Sequence, residues 1–447
     1  MEIIERRESQ VRSYCRSFPT VFTRAAGSFL YDGDGREYID FFAGAGALSY
    51  GHNNPELKER LLQYIGGGGI THSLDMATEA KCQFLDALER IILRPRDLDY
   101  RVMFPGPTGT NAVEAALKLA RKVTGRTGVV SFTNGFHGMT LGSLAVTGNA
   151  QKRGGAGIPL TNTVRMPFDG YFGEDVDTIE YMATLLGDSS SGVTAPAAFI
   201  VETVQAEGGV NPASWPWLER LQALAREYGA LLIVDDIQVG CGRTGPFFSF
   251  EPAGLRPDIV CLSKSLSGFG LPLAVTLIRP DIDIWQPGEH NGTFRGNNHA
   301  FVTAAAALEH FWCDSPLSQS TAAKAAIMSS RLDILATARG AEVRGRGLIQ
   351  GLVFDDASLA ARISRHAFAR GLVIETAGPR DEVLKLLPPL TMNVDTMTTG
   401  LDLIEDSIGA ALDETARSRA SRHNGAKNAH ERHAHWSNGN GALGVSP

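Results

Sequence analysis

Five apolar runs, each followed at once by polar residues or glycine, constrain this chain most: Thr127–Phe132, Ala197–Glu202, Ala230–Asp235, Asp258–Leu262 and Leu273–Ile278. They have the length of strands. The stretches around them carry helical periodicity: Pro55–Ile65, Thr78–Leu93, Asn111–Val123, Pro216–Tyr228 and His299–Trp312. Strands alternating with helices predict an α/β fold built on a mainly parallel sheet. After residue 320 the rhythm changes. A long helix over Ala322–Ala338 leads into shorter strands near Leu348–Phe354, Leu372–Glu375 and Val383–Leu386, with helices at Ala357–Arg370 and Thr396–Leu412. The expected organisation is an N-terminal segment (1–50) packing with the small domain, a large domain (51–320), a small α/β domain (321–415) and a disordered polar tail (416–447). The tail is expected because Arg417 to Pro447 is rich in Arg, Ser, Asn, Gly and His. Such a composition cannot bury enough surface to offset its ordering entropy.

The bulk numbers exclude more than they assign. The 447 residues are 43% hydrophobic and 20% charged, an ordinary globular composition. A formal net charge of −7 leaves no basic footprint for nucleic acid. No apolar stretch is long enough to span a membrane. The charged opening Met1-Glu-Ile-Ile-Glu-Arg-Arg-Glu lacks the apolar core of a signal peptide, so a cytoplasmic location is expected. The five cysteines are scattered without a Cys-x-x-Cys pair and read as free thiols. Four of the eleven histidines lie in the tail, but no cysteine or carboxylate cluster accompanies them, so no metal site is expected.

Chemistry concentrates where the apolar runs stop. Asp258-Ile-Val-Cys-Leu-Ser-Lys264 ends in a lysine backed by small residues and glycines, and Ala230-Leu-Leu-Ile-Val234 ends in Asp235. A lysine and an aspartate closing two buried strands can hold the two ends of one pyridine ring. Lys264 would form a Schiff base and Asp235 would keep the ring nitrogen protonated, an arrangement that points to pyridoxal phosphate. A desolvated lysine loses its proton more easily, and the neutral amine is the nucleophile. Gln238, three residues after Asp235, could donate to the phenolic oxygen of the same ring. The glycine-rich stretch Phe104-Pro-Gly-Pro-Thr-Gly-Thr-Asn111 runs straight into a helix, the geometry that binds phosphate, though taken alone it reads better as a plain helix cap. Phe136, in Phe136-His137-Gly138, could stack on a ring or belong to the core.

Taken in order along the chain, these stretches resemble the class III aminotransferases of pyridoxal phosphate fold type I, from about residue 10 to residue 412. The matching words are Pro107-Thr-Gly-Thr-Asn-Ala-Val-Glu-Ala-Ala116, Phe136-His-Gly138, Glu202-Thr-Val-Gln-Ala-Glu-Gly-Gly209, Asp235-Asp-Ile-Gln238, Gly242-Arg-Thr-Gly245 and Ser263-Lys264. The resemblance implies that Gly109 and Thr110 hold the phosphate, that Phe136, beside His137, stacks on the ring, and that Asp235, Gln238 and Lys264 act as above. It also implies that Thr293, in Asn291-Gly-Thr-Phe-Arg295, reaches the phosphate of a neighbouring subunit, so that the enzyme works as a homodimer. Arg16-Ser-Phe-Pro19, Tyr50-Gly-His-Asn-Asn-Pro55 and Ser263-Lys-Ser-Leu-Ser-Gly268 are similar to the diaminobutyrate–2-oxoglutarate branch, which serves ectoine synthesis and some peptide natural products. Another terminal-amine aminotransferase, or a decarboxylase or epimerase on the same fold, stands as the alternative.

Relatives acting on ornithine or γ-aminobutyrate cover a carboxylate-binding arginine with a glutamate during the terminal-amine half of the cycle. The matching glutamate here is Glu207. The arginine position, before a Pro-Pro pair, reads Lys385-Leu-Leu-Pro-Pro389. Lysine is a point charge without arginine's planar fork. Lys385 either binds a substrate carboxylate or is an exposed strand residue.

Overall fold

The computed structural model describes residues 2–314 and 316–437. Among these, seven strands form the central sheet in the order Arg101–Met103, Val275–Ile278, Ile259–Leu262, Leu231–Asp235, Ala198–Val201, Val129–Phe132, Thr163–Met166. Only Val275–Ile278 runs against its neighbours; every other pairing in the sheet is parallel. Its central strands are buried along their whole length, as a sheet covered on both faces requires. The five predicted strands all lie in it. Arg101–Met103 and Thr163–Met166 are additional; they are short, half-buried edge strands and carry no continuous apolar run.

The helix Gly109–Thr124 shows how sequence fixes position. Thr108 and Asn111 form a reciprocal capping box, and Gly125 ends the helix at φ 67°. Ala112, Val113, Ala116, Leu117, Leu119 and Ala120 are fully buried or nearly so against the sheet. Cutting Leu117 or Leu119 to alanine is expected to cost about 2–5 kcal/mol. The helix begins two residues before the predicted Asn111, so Gly109 and Thr110 belong to its first turn. The predicted single helix Thr78–Leu93 divides into an α-helix, Glu79–Ala87, and a wider π-helical turn, Leu88–Leu93, just before Pro95.

A second, antiparallel sheet has the order Glu342–Arg346, Ile349–Val353, Val383–Leu386, Glu375–Ala377. The N-terminal strands Phe22–Ala26, Phe29–Asp32 and Glu37–Asp40 form a third sheet with Leu372–Val373. The last helix, Val394–Ser437, continues well beyond residue 416, where composition led to the expectation of a disordered tail. Ala and Arg recur there and are good helix formers, so local propensity accords with the backbone helix. Residues 438–447 lie outside the described residues.

Candidate active site

Parallel register makes the site. Asp235 pairs with Cys261 across neighbouring parallel strands, so Asp235 and Lys264 emerge from the same carboxyl edge of the sheet. Crevices at that edge are where open α/β sheets bind ligands. Lys264 takes φ 50°, a left-handed conformation unusual for a side chain of its size, at the first position of the 3-10 turn Lys264–Ser267. Its neighbours fix that turn: Ser263 Oγ donates to the Leu273 carbonyl at 2.7 Å and Ser265 Oγ to the Gly46 carbonyl at 2.5 Å. The N-terminus of helix Gly109–Thr124 reaches the same edge. Together they enclose a cavity of about 150 Å³ lined by Gly109, Thr110, Phe136, His137, Gly138, Glu202, Asp235, Ile237, Gln238 and Lys264.

Seven of the eight residues expected to hold the cofactor therefore meet in one cavity. Thr293 does not. It lies in an exposed turn, where its carbonyl accepts a hydrogen bond from His72 Nε2 at 2.6 Å. Glu202, Gly138 and Ile237 belong to the cavity and were not among the expected site residues. Glu202 was legible by the rule that found Asp235, an acid closing an apolar run.

The electrostatics separate these groups. Asp235 Oδ2 lies 2.8 Å from His137 Nδ1, and both side chains are buried. Burial works against a charged His137, but the hydrogen bond and charge of Asp235 outweigh it and raise its pKa. Burial pushes Glu202 up to about 8; its Oε2 accepts the Phe136 amide at 2.8 Å. Burial likewise lowers the pKa of Lys264, partly opposed by the nearby negative charge of Glu207. A lysine whose pKa burial lowers thus faces the same space as the Asp235 side chain, which is already hydrogen-bonded to His137.

Beyond Phe136 lies a second cavity of about 320 Å³, which Glu207 helps to line. Lys385 is wholly buried rather than an exposed strand residue. Its Nζ lies 2.7 Å from Glu207 Oε1 and 3.0 Å from Glu375 Oε1. Burial would raise the Glu207 pKa, but the charges of Lys385 and Lys264 hold it down at about 2. Burial and the charge of Glu207 push Glu375 up to about 7, against the pull of Lys385. Glu375, like Glu202, closes an apolar run, Leu372-Val-Ile-Glu375.

The model for aminotransferase class III matches residues 11–408 of the chain. The chain is a class III aminotransferase. A diaminobutyrate–2-oxoglutarate transaminase from Halalkalibacterium halodurans is 58% identical over 417 residues, covering 92% of this chain and 97% of the relative. Its counterpart from Bordetella parapertussis is 59% identical, covering 93% and 96%. Among solved structures, the ornithine aminotransferase of Toxoplasma gondii superposes with a TM-score of 0.80 at 26% identity, covering 92% of this chain and 95% of that one. A second structure of that enzyme, 27% identical with a TM-score of 0.79 and covering 92% and 94%, was described with partial occupancy of pyridoxal phosphate at its active site.

The cavity of this aminotransferase fits pyridoxal phosphate, the cofactor of its family. Gln238 donates from Nε2 to the Ala45 carbonyl at 2.8 Å, while its buried Oε1 has no partner of its own. Two glycines keep the floor open. A Cβ on Gly138 (φ 128°) would stand 2.4 Å from Thr110 Oγ1, and one on Gly109 would stand 2.9 Å from Ile237 Cδ1. The first-turn amides at Gly109 and Thr110 suit a phosphate, Asp235 suits a protonated ring nitrogen, and Lys264 suits the aldehyde carbon.

Proposed function

We propose that this aminotransferase interconverts L-2,4-diaminobutyrate and 2-oxoglutarate with L-aspartate 4-semialdehyde and L-glutamate. The observation that supports this reading best is the placement of the Glu207–Lys385 pair beside the Lys264–Asp235 cavity. One pocket must accept a terminal amine in one half of the cycle and an α-amine flanked by a carboxylate in the other. The names of the relatives above accord with the reading. On the same basis we infer a homodimer in which Thr293 of one subunit contributes to the phosphate site of the other, a cytoplasmic location and a supply of diaminobutyrate to ectoine synthesis.

When bound, pyridoxal phosphate supplies an aldehyde to carry the amino group and a ring that withdraws electrons from the substrate carbon. The residues divide the remaining work. Gly109 and Thr110 would hold the phosphate at the helix N-terminus, Phe136 and Ile237 would pack against the ring, and Gln238 would meet the phenolic oxygen. Asp235, buried away from water, would hold positive charge on the ring nitrogen, as preorganised electrostatic stabilisation requires. Lys264, its pKa lowered by burial, takes a proton at Nζ and returns it, as general base and then general acid. Glu207 neutralises Lys385 while the terminal amine reacts. When glutamate binds, Glu207 withdraws and Lys385 takes the carboxylate on the reacting carbon.

The test is a half-reaction screen. The loaded enzyme is mixed in turn with diaminobutyrate, ornithine, γ-aminobutyrate, lysine and glutamate while its visible absorption is followed. Diaminobutyrate and glutamate should bleach the band fastest. Rapid bleaching by ornithine with none by diaminobutyrate sinks the proposal.

A further inference from the structure

The proposed reaction leaves one charge unassigned. Both diaminobutyrate and glutamate carry a carboxylate far from the carbon that reacts, and Lys385 is engaged by two carboxylates of the protein. We propose that Lys152 binds this distal carboxylate in both halves of the cycle; the inference rests on the reaction proposed above.

The placement of Lys152 supports this. It lines the 320 Å³ cavity together with Phe136 and Glu207, and among the described lining residues it is the sole cation. Phe136 also lines the cofactor cavity, so its ring is common to both spaces. Lys152 Nζ stands 4.2 Å from the centroid of that ring. Its backbone is fixed, since the Lys152 amide donates to Asn149 Oδ1 at 3.0 Å in the cap of a one-turn helix. The next residue, Arg153, ties that turn to the Thr147 carbonyl at 3.1 Å. The cation thus sits on an anchored backbone at the boundary between the two cavities. Its charge also helps to hold Glu207 ionised, which places the two groups within electrostatic reach.

Substrate chemistry explains why one cation can serve twice. In diaminobutyrate the reacting carbon is C4 and the carboxylate is C1, three carbon–carbon bonds away. In glutamate the reacting carbon is C2 and the distal carboxylate is C5, again three bonds away. With the reacting carbon fixed at Lys264, both distal carboxylates fall at the same reach. Ornithine, whose terminal carbon is four bonds from its carboxylate, overshoots. The α-ammonium of diaminobutyrate lies next to the carboxylate, where Glu207 and Asp381 line the same cavity as acceptors.

The experiment uses the loaded enzyme and the variants Lys152→Gln, Lys152→Glu and Lys152→Arg. It measures KM and kcat for diaminobutyrate and for glutamate, and the calorimetric Kd for glutarate, a five-carbon dicarboxylate that cannot react. Lys152→Gln should raise both KM values and the glutarate Kd about tenfold or more, with kcat within about threefold, the loss expected of a hydrogen bond to a charged group. Lys152→Glu should weaken glutarate further, and Lys152→Arg should restore binding. Unchanged glutarate binding overturns the proposal. So does a fall in kcat at constant KM, which would mean that Lys152 acts only by packing on Phe136, or a loss confined to one substrate. If diaminobutyrate is inert with the unaltered enzyme, the proposed reaction fails, while the glutarate measurement still decides the role of Lys152.

Discussion

The two cavities on either side of Phe136 are built differently. The inner one draws its polar groups from the ends of parallel strands and from a helix N-terminus of a single sheet. Rigid elements hold catalytic groups to the tolerance that proton transfer and charge stabilisation demand. The outer one is assembled from unlike parts. Glu207 follows the two-residue strand Val204–Gln205 and Lys152 comes from a one-turn helix, while Lys385, which pairs with Glu207 from the antiparallel sheet, lies buried behind the lining. The difference separates reaction from selection: the inner cavity fixes what chemistry occurs, and the outer one fixes which molecule presents itself. A change inside should therefore stop every substrate, whereas a change outside should distinguish between them.

The severest test of that division is Lys264→Ala. Loss of the group that moves the proton should lower turnover by about 10⁴-fold with every amine donor. The visible band of the bound cofactor should also shift, because its lysine partner is gone. If one donor keeps several per cent of its activity while another loses all, the inner cavity is not common to both half-reactions. Asp235→Asn is the next largest. Removing the charge opposite the ring nitrogen should reduce kcat by about 10²–10³-fold for all donors. The same substitution should lower the His137 pKa, since Asp235 is what raises it against the effect of burial. Titration of the His137 ring by NMR in both proteins checks this independently of turnover.

The same contrast explains what could be read from the sequence. Asp235, Gln238 and Lys264 were legible because each lies at or just past the end of an uninterrupted apolar run, and a buried strand leaves its chemistry only at its ends. The central strands and the helix Gly109–Thr124 were legible for the same local reasons. The edge strands Arg101–Met103 and Thr163–Met166 were not, because half-buried strands carry mixed residues. The partners of Lys385 were hidden too. Its ion pairs span 178 positions to Glu207 and cross to Glu375 in the adjacent strand, contacts that only tertiary structure and sheet register create. Lys152 gave no local signal, because nothing in Ala150-Gln-Lys-Arg-Gly154 differs from an ordinary surface turn.

Glu207→Gln sharpens the comparison from the outer side. It removes one of the two charges on Lys385 while keeping the side chain's size. Lys385 then attracts carboxylates in both halves of the cycle. The glutamate half-reaction should be kept or improved, and the diaminobutyrate half-reaction should slow about tenfold, an effect in the range of an interfacial charge contact. Stopped-flow measurement of the two halves separately reads this out. An equal loss in both would erase the distinction between the cavities.

The smallest effect concerns Glu375, the second acid on Lys385. Burial and the negative charge of Glu207 raise its pKa to about 7, while Lys385 and Lys264 pull the other way. Below that pH it is largely neutral, and Lys385 answers to Glu207 alone. Above it, a second carboxylate compensates Lys385, which then attracts the glutamate carboxylate less well. The KM for glutamate should therefore climb about threefold between pH 6 and pH 8, a modest change because Lys385 stays charged throughout. The KM for diaminobutyrate, which has no carboxylate on its reacting carbon, should stay level. Stability follows the same proton. The folded-state pKa lies above the ordinary 4.5, so this carboxyl's contribution to stability is fully present below about 4.5 and lost as the pH rises through about 7. Glu375→Gln, permanently neutral, should flatten both the glutamate KM profile and the Glu375 share of the Tm profile. If the KM slope survives in Glu375→Gln, a group other than Glu375 carries the titration.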